Sequence, residues 1–127
     1  MKNKPLYILL AVVLVAGSLD RSARQDQRHA VLADICQAFA YNLDMDGRLA
    51  QPRIITAGDV GRLFDQFGER STLGISYKQY FPDFFKRLGD ELAQAAGGGT
   101  EAAAAPLTPQ LREQFVKIFL DASDRIP

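Results

Sequence analysis

The chain has 127 residues, of which 47% are hydrophobic and 24% charged, with 15 Lys and Arg against 15 Asp and Glu. This length suits one small domain with its own core, and the composition is that of a folded chain rather than a disordered one. The balanced charge argues against the clustered basic face that neutralises phosphates, so no nucleic-acid partner is expected.

The N-terminal segment pairs two basic residues, Lys2 and Lys4, with an unbroken apolar run over residues 6–16. As a helix, residues 6–19 would span about 21 Å, which is short for a bilayer core of ~30 Å and typical of a signal peptide. Small residues at 15–18 suit a signal peptidase. Residues 1–18 are therefore predicted to be a cleaved signal peptide, and the protein to be extracytoplasmic, either secreted or periplasmic.

Two alternatives stay open for this segment. A retained single-pass anchor would keep residues 5–19 in contact with the membrane. The arginines that follow the apolar run nearly balance the basic residues before it, so the flanking charge does not decide the orientation. The other alternative is a buried N-terminal helix.

The first helix is predicted over residues 20–41. Its apolar residues recur at helical spacing, with Cys36 among them, which favours packing in the core over a reactive thiol or an intermolecular bridge. Cys36 is the only cysteine, so no intramolecular disulfide can form. His29 is the only histidine, and without a second histidine or cysteine nearby it lacks the ligand set of a transition-metal site.

A short motif after this helix, Asn42-Leu43-Asp44-Met45-Asp46-Gly47, places oxygen side chains at alternate positions before a glycine. It resembles the opening half of an EF-hand calcium loop. The resemblance covers about residues 35–85, and only these six loop residues are specific. It implies Asn42, Asp44 and Asp46 as calcium ligands, followed by the carbonyl of Arg48.

The second half of the motif departs from that family. The twelfth loop position, normally a bidentate glutamate, is Arg53, and Asp59 would replace it only with an insertion in the loop. The competing interpretation is an Asx-rich turn in which Gly47 takes a left-handed angle. No cofactor is expected, and weak calcium binding is the alternative.

Three further helices are predicted from their start signals and apolar faces. Thr56 with Asp59, and Ser76 with Gln79, have the spacing of a capping box. Thr108 precedes a proline at a first helical position. Gly68 is predicted to end the second helix, and Pro82 to kink or restart the third. The predicted ranges are 57–67, 77–96 and 109–123.

The segment 97–107, rich in glycine and alanine, is predicted to be a flexible linker between a helical domain over residues 19–96 and a C-terminal amphipathic helix over residues 108–127. The last helix is therefore expected to dock loosely or to bind another molecule. The fold class is all-α, a small four-helix domain after the N-terminal hydrophobic segment.

The function expected from the sequence is contact with a protein partner rather than catalysis. No serine lies in a glycine-framed nucleophile elbow, so the chain is not expected to be an enzyme. We expect a non-catalytic, exported or membrane-tethered helical protein. A weak calcium-binding EF-hand-like module and a membrane-anchored subunit of an envelope complex are the alternatives.

Overall fold

A computed structural model describes residues 25–72 and 75–127, and its helical content confirms the all-α class. The predicted signal or anchor segment and the predicted start of the first helix lie outside the described residues. The described elements follow in chain order: α1 (Gln25–Gly47), α2 (Ala57–Glu69), β1 (Ser71–Thr72), β2 (Ile75–Ser76), α3 (Tyr77–Tyr80), α4 (Pro82–Ala96), α5 (Gly99–Ala104) and α6 (Pro109–Ser123). The two short strands pair antiparallel with each other.

The helix starts predicted at Thr56, Ser76 and Thr108 form in the structure. Thr56 Oγ1 accepts from the Asp59 amide at 3.0 Å, and Asp59 Oδ2 accepts from the Thr56 amide at 3.1 Å, which completes a capping box. This hydrogen bond from the Thr56 amide lowers the pKa of the Asp59 carboxyl. Ser76 and Thr108 cap α3 and α6 through one hydrogen bond each, accepting from the amide three residues on. The return bond from the Gln79 side chain, which would complete the predicted capping box at Ser76, does not form. The starts predicted at 57, 77 and 109 are confirmed.

Pro82 restarts the third predicted helix rather than only bending it. Phe81 leaves helical geometry with φ −127° and ψ 59°, and Pro82 occupies the first turn of α4. Proline fits there because its missing N–H would have no intrahelical partner. Gly97 then ends α4 in the left-handed conformation at φ 108°.

Gly68 lies inside α2 and does not end it, so the predicted stop is wrong. Its function is close packing: a Cβ at this position would lie 2.3 Å from Cε2 of Phe85 on α4. Gly61, two turns earlier in α2, has open space around the equivalent point. The two glycines therefore offer a matched comparison within one helix.

We predict that Gly68→Ala lowers the free energy of unfolding by about 1–3 kcal/mol, because the Phe85 ring must move or the helices must separate. Gly61→Ala is expected to raise it by about 0.5–1 kcal/mol through better helix propensity. Urea unfolding of both variants measures the difference. Equal effects from the two substitutions would show that the α2–α4 contact is looser than described.

The core is built around α1, which packs along α6. The Phe119 ring of α6 stacks on Phe39 of α1, with ring centres 5.3 Å apart, and lies 5.3 Å from Phe64 of α2. Phe115, Phe119 and Ala122 have no exposed surface at all. The expectation that the last helix docks loosely is therefore wrong, because its apolar face fills the centre of the core.

The residues predicted to form a linker contain α5 and a fixed return to the core. A Cβ on Gly58 of α2 would lie 3.1 Å from the Ala103 carbonyl oxygen, so α5 approaches α2 closely. After α5, the Leu107 amide donates to the Ile55 carbonyl at 2.8 Å, beside a bridge between Thr56 and Pro106. Backbone pairing between distant segments thus orders part of a glycine-rich and alanine-rich stretch.

Helix α1 continues through the motif at 42–47 and ends at Gly47, six residues beyond the predicted end near Tyr41. The predicted loop conformation of Asn42–Gly47 is therefore wrong. The physical reason is burial, since Asn42, Leu43 and Asp46 all face the interior, where tertiary contacts outweigh a local preference for a turn. No helix within the described ranges has both the length and the apolarity needed to span a bilayer.

Candidate binding surface beside the α1–α2 loop

The three predicted calcium ligands are held on a helix, which separates them. Successive residues turn by about 100°, so Asn42 and Asp46 share one face while Asp44 points about 200° away from each. Within the described ranges, no three His, Cys, Asp or Glu side chains cluster as a metal site would require. Calcium binding stays a prediction, and its test must start from these residues held in a helix.

Asp46 is a buried carboxylate between two arginines. Its side chain is 1% exposed, Oδ1 accepts from Arg53 Nε at 2.9 Å, and Oδ2 accepts from Arg112 Nη1 at 3.2 Å. The same Arg112 nitrogen donates to the Leu43 carbonyl at 3.2 Å, and the Arg112 side chain is only 11% exposed. These contacts join the end of α1, the following loop and α6. A carboxylate whose charge is already balanced by two arginines stabilises the fold and is poorly placed to bind a metal ion.

Asp44 lies on the outer face of α1 in a different environment. It accepts from Arg48 Nε at 3.1 Å across one helical turn, with the two side chains 47% and 70% exposed. Solvent screens such a pair, so it adds less than about 1 kcal/mol. Asp44 is therefore free to serve as a control for Asp46 in experiments.

We predict that calcium up to several millimolar produces no saturable shift of the Asp44, Asp46 or Gly47 amides in NMR spectra, because calcium would have to displace two arginines from Asp46. An Asp44→Asn variant is the control for weak binding at the exposed carboxylate. Saturable shifts at these amides that disappear in Asp44→Asn would contradict the prediction and support the calcium interpretation.

Asn42 is a second polar side chain, after Asp46, on the buried face of α1. It is 9% exposed, and neither its amide nitrogen nor its amide oxygen has a hydrogen-bond partner among the described residues. An unsatisfied buried amide costs about 1–3 kcal/mol. The sequence motif suggests that this side chain is a calcium ligand, whereas the structure places it in the interior, between packed helices.

We predict that Asn42→Leu raises the free energy of unfolding by about 1 kcal/mol, because it removes the unsatisfied amide and keeps the branched shape of the side chain. Gln37→Leu on the exposed side of the same helix should change it by less than about 0.5 kcal/mol. Chemical unfolding of both variants measures this. A loss of stability in Asn42→Leu would instead show that the amide has a partner, such as an ordered water.

The loop between α1 and α2 is tied down at both ends. At its start, the amides of Arg48 and Leu49 donate to the carbonyls of Met45 and Asp46. Further on, Arg53 is held by Asp46, and Ile55 accepts from the Leu107 amide. The loop is therefore fixed to three helices of the domain, α1 directly and α2 and α6 through the residues that precede them.

This fixed loop exposes large apolar side chains. Ile54 is 85% exposed and Leu49 is 52% exposed, while the neighbouring Ile55 packs against the core. Large apolar side chains exposed on an ordered loop mark a candidate contact site. Single exposed apolar residues are ordinary, whereas Leu49 and Ile54 lie five positions apart on one ordered loop.

A groove of about 380 Å³ lies beside the loop and shares Pro52 with it. Its apolar wall and floor come from the loop, the segment before α6 and α6 itself, and charged residues of both signs complete the lining: Pro52, Leu107, Pro109 and Val116, with Asp44, Arg48, Arg112 and Glu113. We call the groove together with Leu49 and Ile54 the loop surface.

A larger groove of about 820 Å³ runs between α4 and α6, and a bidentate ion pair crosses it. Arg125 donates from both terminal nitrogens to Glu91, at 3.0 and 2.9 Å. The hydrogen bonds from Arg125 lower the pKa of the Glu91 carboxyl, and Glu91 raises the pKa of Arg125. This pair fastens the end of α6 to α4, which gives the groove a structural role.

The other chemically notable side chains lie in the core or against it. Cys36 is fully buried, as predicted, and burial raises the pKa of its thiol to about 12. The thiolate is the reactive form, so this cysteine is inert in the folded protein. His29 contacts the edge of the Phe81 ring, with ring centres 5.0 Å apart.

The sequence did not point to Arg112, Leu49 or Ile54 as members of a site. Arg112 lies 66 residues from Asp46, and no local pattern links the two. Arg53 was partly recognisable from the sequence as a departure from the calcium loop, since a cation at the twelfth loop position is incompatible with an EF-hand. The exposure of Ile54 could not be predicted because the adjacent Ile55 has the same side chain and faces inward.

The fold and the loop surface define a small all-α domain with one ordered apolar loop. The chain matches no protein-family model, no curated protein and no solved structure.

Proposed function

We propose that this protein acts by binding a protein partner through the loop surface, without catalytic chemistry of its own. The observation that carries the proposal is Ile54, 85% exposed on a loop held by an ion pair and by backbone hydrogen bonds. A loop already fixed in one conformation loses little entropy on binding. The loop surface is therefore preorganised for contact.

The lining of the groove indicates the chemistry of the partner. Leu107 and Val116 are half-buried, so they offer an apolar floor that fits one aliphatic or aromatic side chain. Arg48 and Glu113 are exposed and carry opposite charges. A buried apolar anchor surrounded by polar and charged groups is the usual anatomy of a protein interface. We infer a protein segment with one large apolar residue flanked by charges of both signs.

A non-catalytic role is supported by the surroundings of two side chains that could otherwise be reactive. Cys36 is buried with a raised pKa, and Asp46 is neutralised by two arginines. The proposal that the protein is exported or membrane-tethered rests on residues 1–19 of the sequence. The calcium-binding alternative has its own test, described above.

Position-specific photocrosslinking in the native host tests the proposal. A photoreactive amino acid replaces Leu49, Ile54 or, as a control, Leu63, which is 49% exposed on α2. We expect one common adduct from positions 49 and 54 and none from 63. Mass spectrometry of the adduct then identifies the partner and the residue that enters the groove.

A second substitution shows whether the adduct depends on the surface. Ile54→Arg should abolish the adduct formed from position 49, while the circular dichroism spectrum stays that of the folded protein. The absence of any adduct from positions 49 and 54, or the same adduct from all three positions, would refute the proposal.

A further inference from the structure

The loop surface carries a projecting apolar side chain next to an apolar groove. Ile54 is 85% exposed. Pro52, two residues before it, lines the groove. Leu107 also lines the groove, and its amide donates to the carbonyl of Ile55, the residue that follows Ile54. The chain on both sides of Ile54 therefore borders the groove, so the projection and the groove belong to one continuous surface.

The position of Ile54 is fixed by its two neighbours. Arg53 Nε donates to Asp46 Oδ1 at 2.9 Å, and the Ile55 side chain packs against the core. A side chain that stays 85% exposed is not seated in the groove beside it. Ile54 is therefore held out of the groove of its own chain, in a position from which it can enter a groove on a second molecule.

The charged residues that line the groove balance each other. Asp44 and Glu113 are acidic, and Arg48 and Arg112 are basic. A surface with a large net charge of one sign would repel a copy of itself, whereas these four charges sum to zero. Arg48 is 70% exposed, and Glu113, also exposed, has no ion-pair partner among the residues that the structure describes. The groove thus offers an exposed cation and an exposed anion to a copy of the chain.

A two-fold axis would turn these features into a closed interface. In a symmetric dimer, each contact from one copy to the other is matched by the same contact in the opposite direction. Ile54 of each copy can then enter the groove of the other, while Arg48 of each copy faces Glu113 of the other. The partner segment inferred above has one large apolar residue and charges of both signs, and the loop between α1 and α2 has this composition itself.

We propose that the partner of the loop surface is a second copy of this chain, in a symmetric dimer in which Ile54 of each copy enters the groove of the other. This inference rests on the proposed function, because it assigns the partner of the surface described there. The contact is confined to one loop and one groove, so the dimer is of the small, reversible class and dissociates at low protein concentration.

Crosslinking between two differently tagged copies tests the dimer. The full-length chain is expressed in the native host as two copies, one with a photoreactive amino acid at position 54 and a first tag, the other unmodified with a second tag. We expect an adduct that carries both tags, with the crosslink in a peptide that contains Leu107 or Val116. The photoreactive amino acid at position 63, on α2, is the control and should give no adduct with both tags.

Charge reversal tests the two-fold arrangement. When both copies carry Arg48→Glu, or both carry Glu113→Arg, like charges face each other and the adduct with both tags should fall about tenfold. When one copy carries Arg48→Glu and the other Glu113→Arg, opposite charges face each other again and most of the adduct should return. Both positions are exposed, so neither substitution disturbs the core.

The outcomes distinguish this inference from the proposed function. An adduct from position 54 that contains a different protein, without any adduct that carries both tags, would overturn the dimer and leave the proposed function intact. The absence of any adduct from positions 49 and 54 would refute both. An adduct with both tags that ignores the single charge reversals, or that does not return in the mixed pair, would overturn the symmetric arrangement.

Discussion

Replacing Phe119 by alanine is expected to lower the free energy of unfolding by about 3–5 kcal/mol. The ring has no exposed surface and contacts Phe39 of α1 and Phe64 of α2. Its removal costs the transfer free energy of the ring and leaves a cavity where three helices meet. Urea or thermal unfolding of the purified variant measures the loss.

The neighbouring Leu120 supplies the control for this experiment. It lies on the same helix but is 45% exposed, so Leu120→Ala should cost less than about 1 kcal/mol. If α6 were only loosely attached, both variants would unfold like the unmodified protein. A loss below about 1 kcal/mol for Phe119→Ala would therefore contradict the central position of α6.

Replacing Asp46 by alanine is expected to lower the free energy of unfolding by about 3–5 kcal/mol. The substitution leaves the Arg112 guanidinium, on a side chain only 11% exposed, without its carboxylate partner. It also releases Arg53 and with it one fixed point of the loop. Breaking a buried pair costs more than the pair itself contributes, because the remaining charge stays buried.

Two further variants separate charge burial from general damage. Asp44→Ala on the exposed face should cost less than about 1 kcal/mol, because its pair with Arg48 is screened by water. The double variant Asp46→Leu with Arg112→Met should recover most of the loss, because it removes both charges. A double variant as unstable as Asp46→Ala would show that hydrogen bonds, and not the unpaired charge, carry the effect.

Two groups of ion pairs, one at each end of α6, hold this helix in the domain. Arg112 fixes its first turns to α1, and Arg125, just beyond its last residue, fixes the other end to α4. Between them the buried phenylalanines supply the apolar contact. The groove of the loop surface lies between the fixed end of α1 and the fixed start of α6, which explains how a surface groove keeps its shape.

The segment Asn42–Gly47 shows why a local sequence motif does not by itself determine the conformation. Asn42, Asp44 and Asp46 have the spacing that a calcium loop requires, and the same residues are compatible with a helix. Which conformation forms depends on whether Asp46 has partners in the interior, and these come from Arg53 and Arg112. The second partner is 66 residues away, beyond the range of any local pattern.

The sequence by itself determined where α2, α3, α4 and α6 begin, because each start depends on residues within one turn of each other. Thr56 with Asp59, Ser76 with the amide of Gln79, and Pro82 act through local hydrogen bonds or local steric clash. The tertiary structure alone decided that α1 continues to Gly47, that α6 fills the core and that Ile54 faces the solvent. Burial is a property of the assembled helices, so residues distant in the chain fix it.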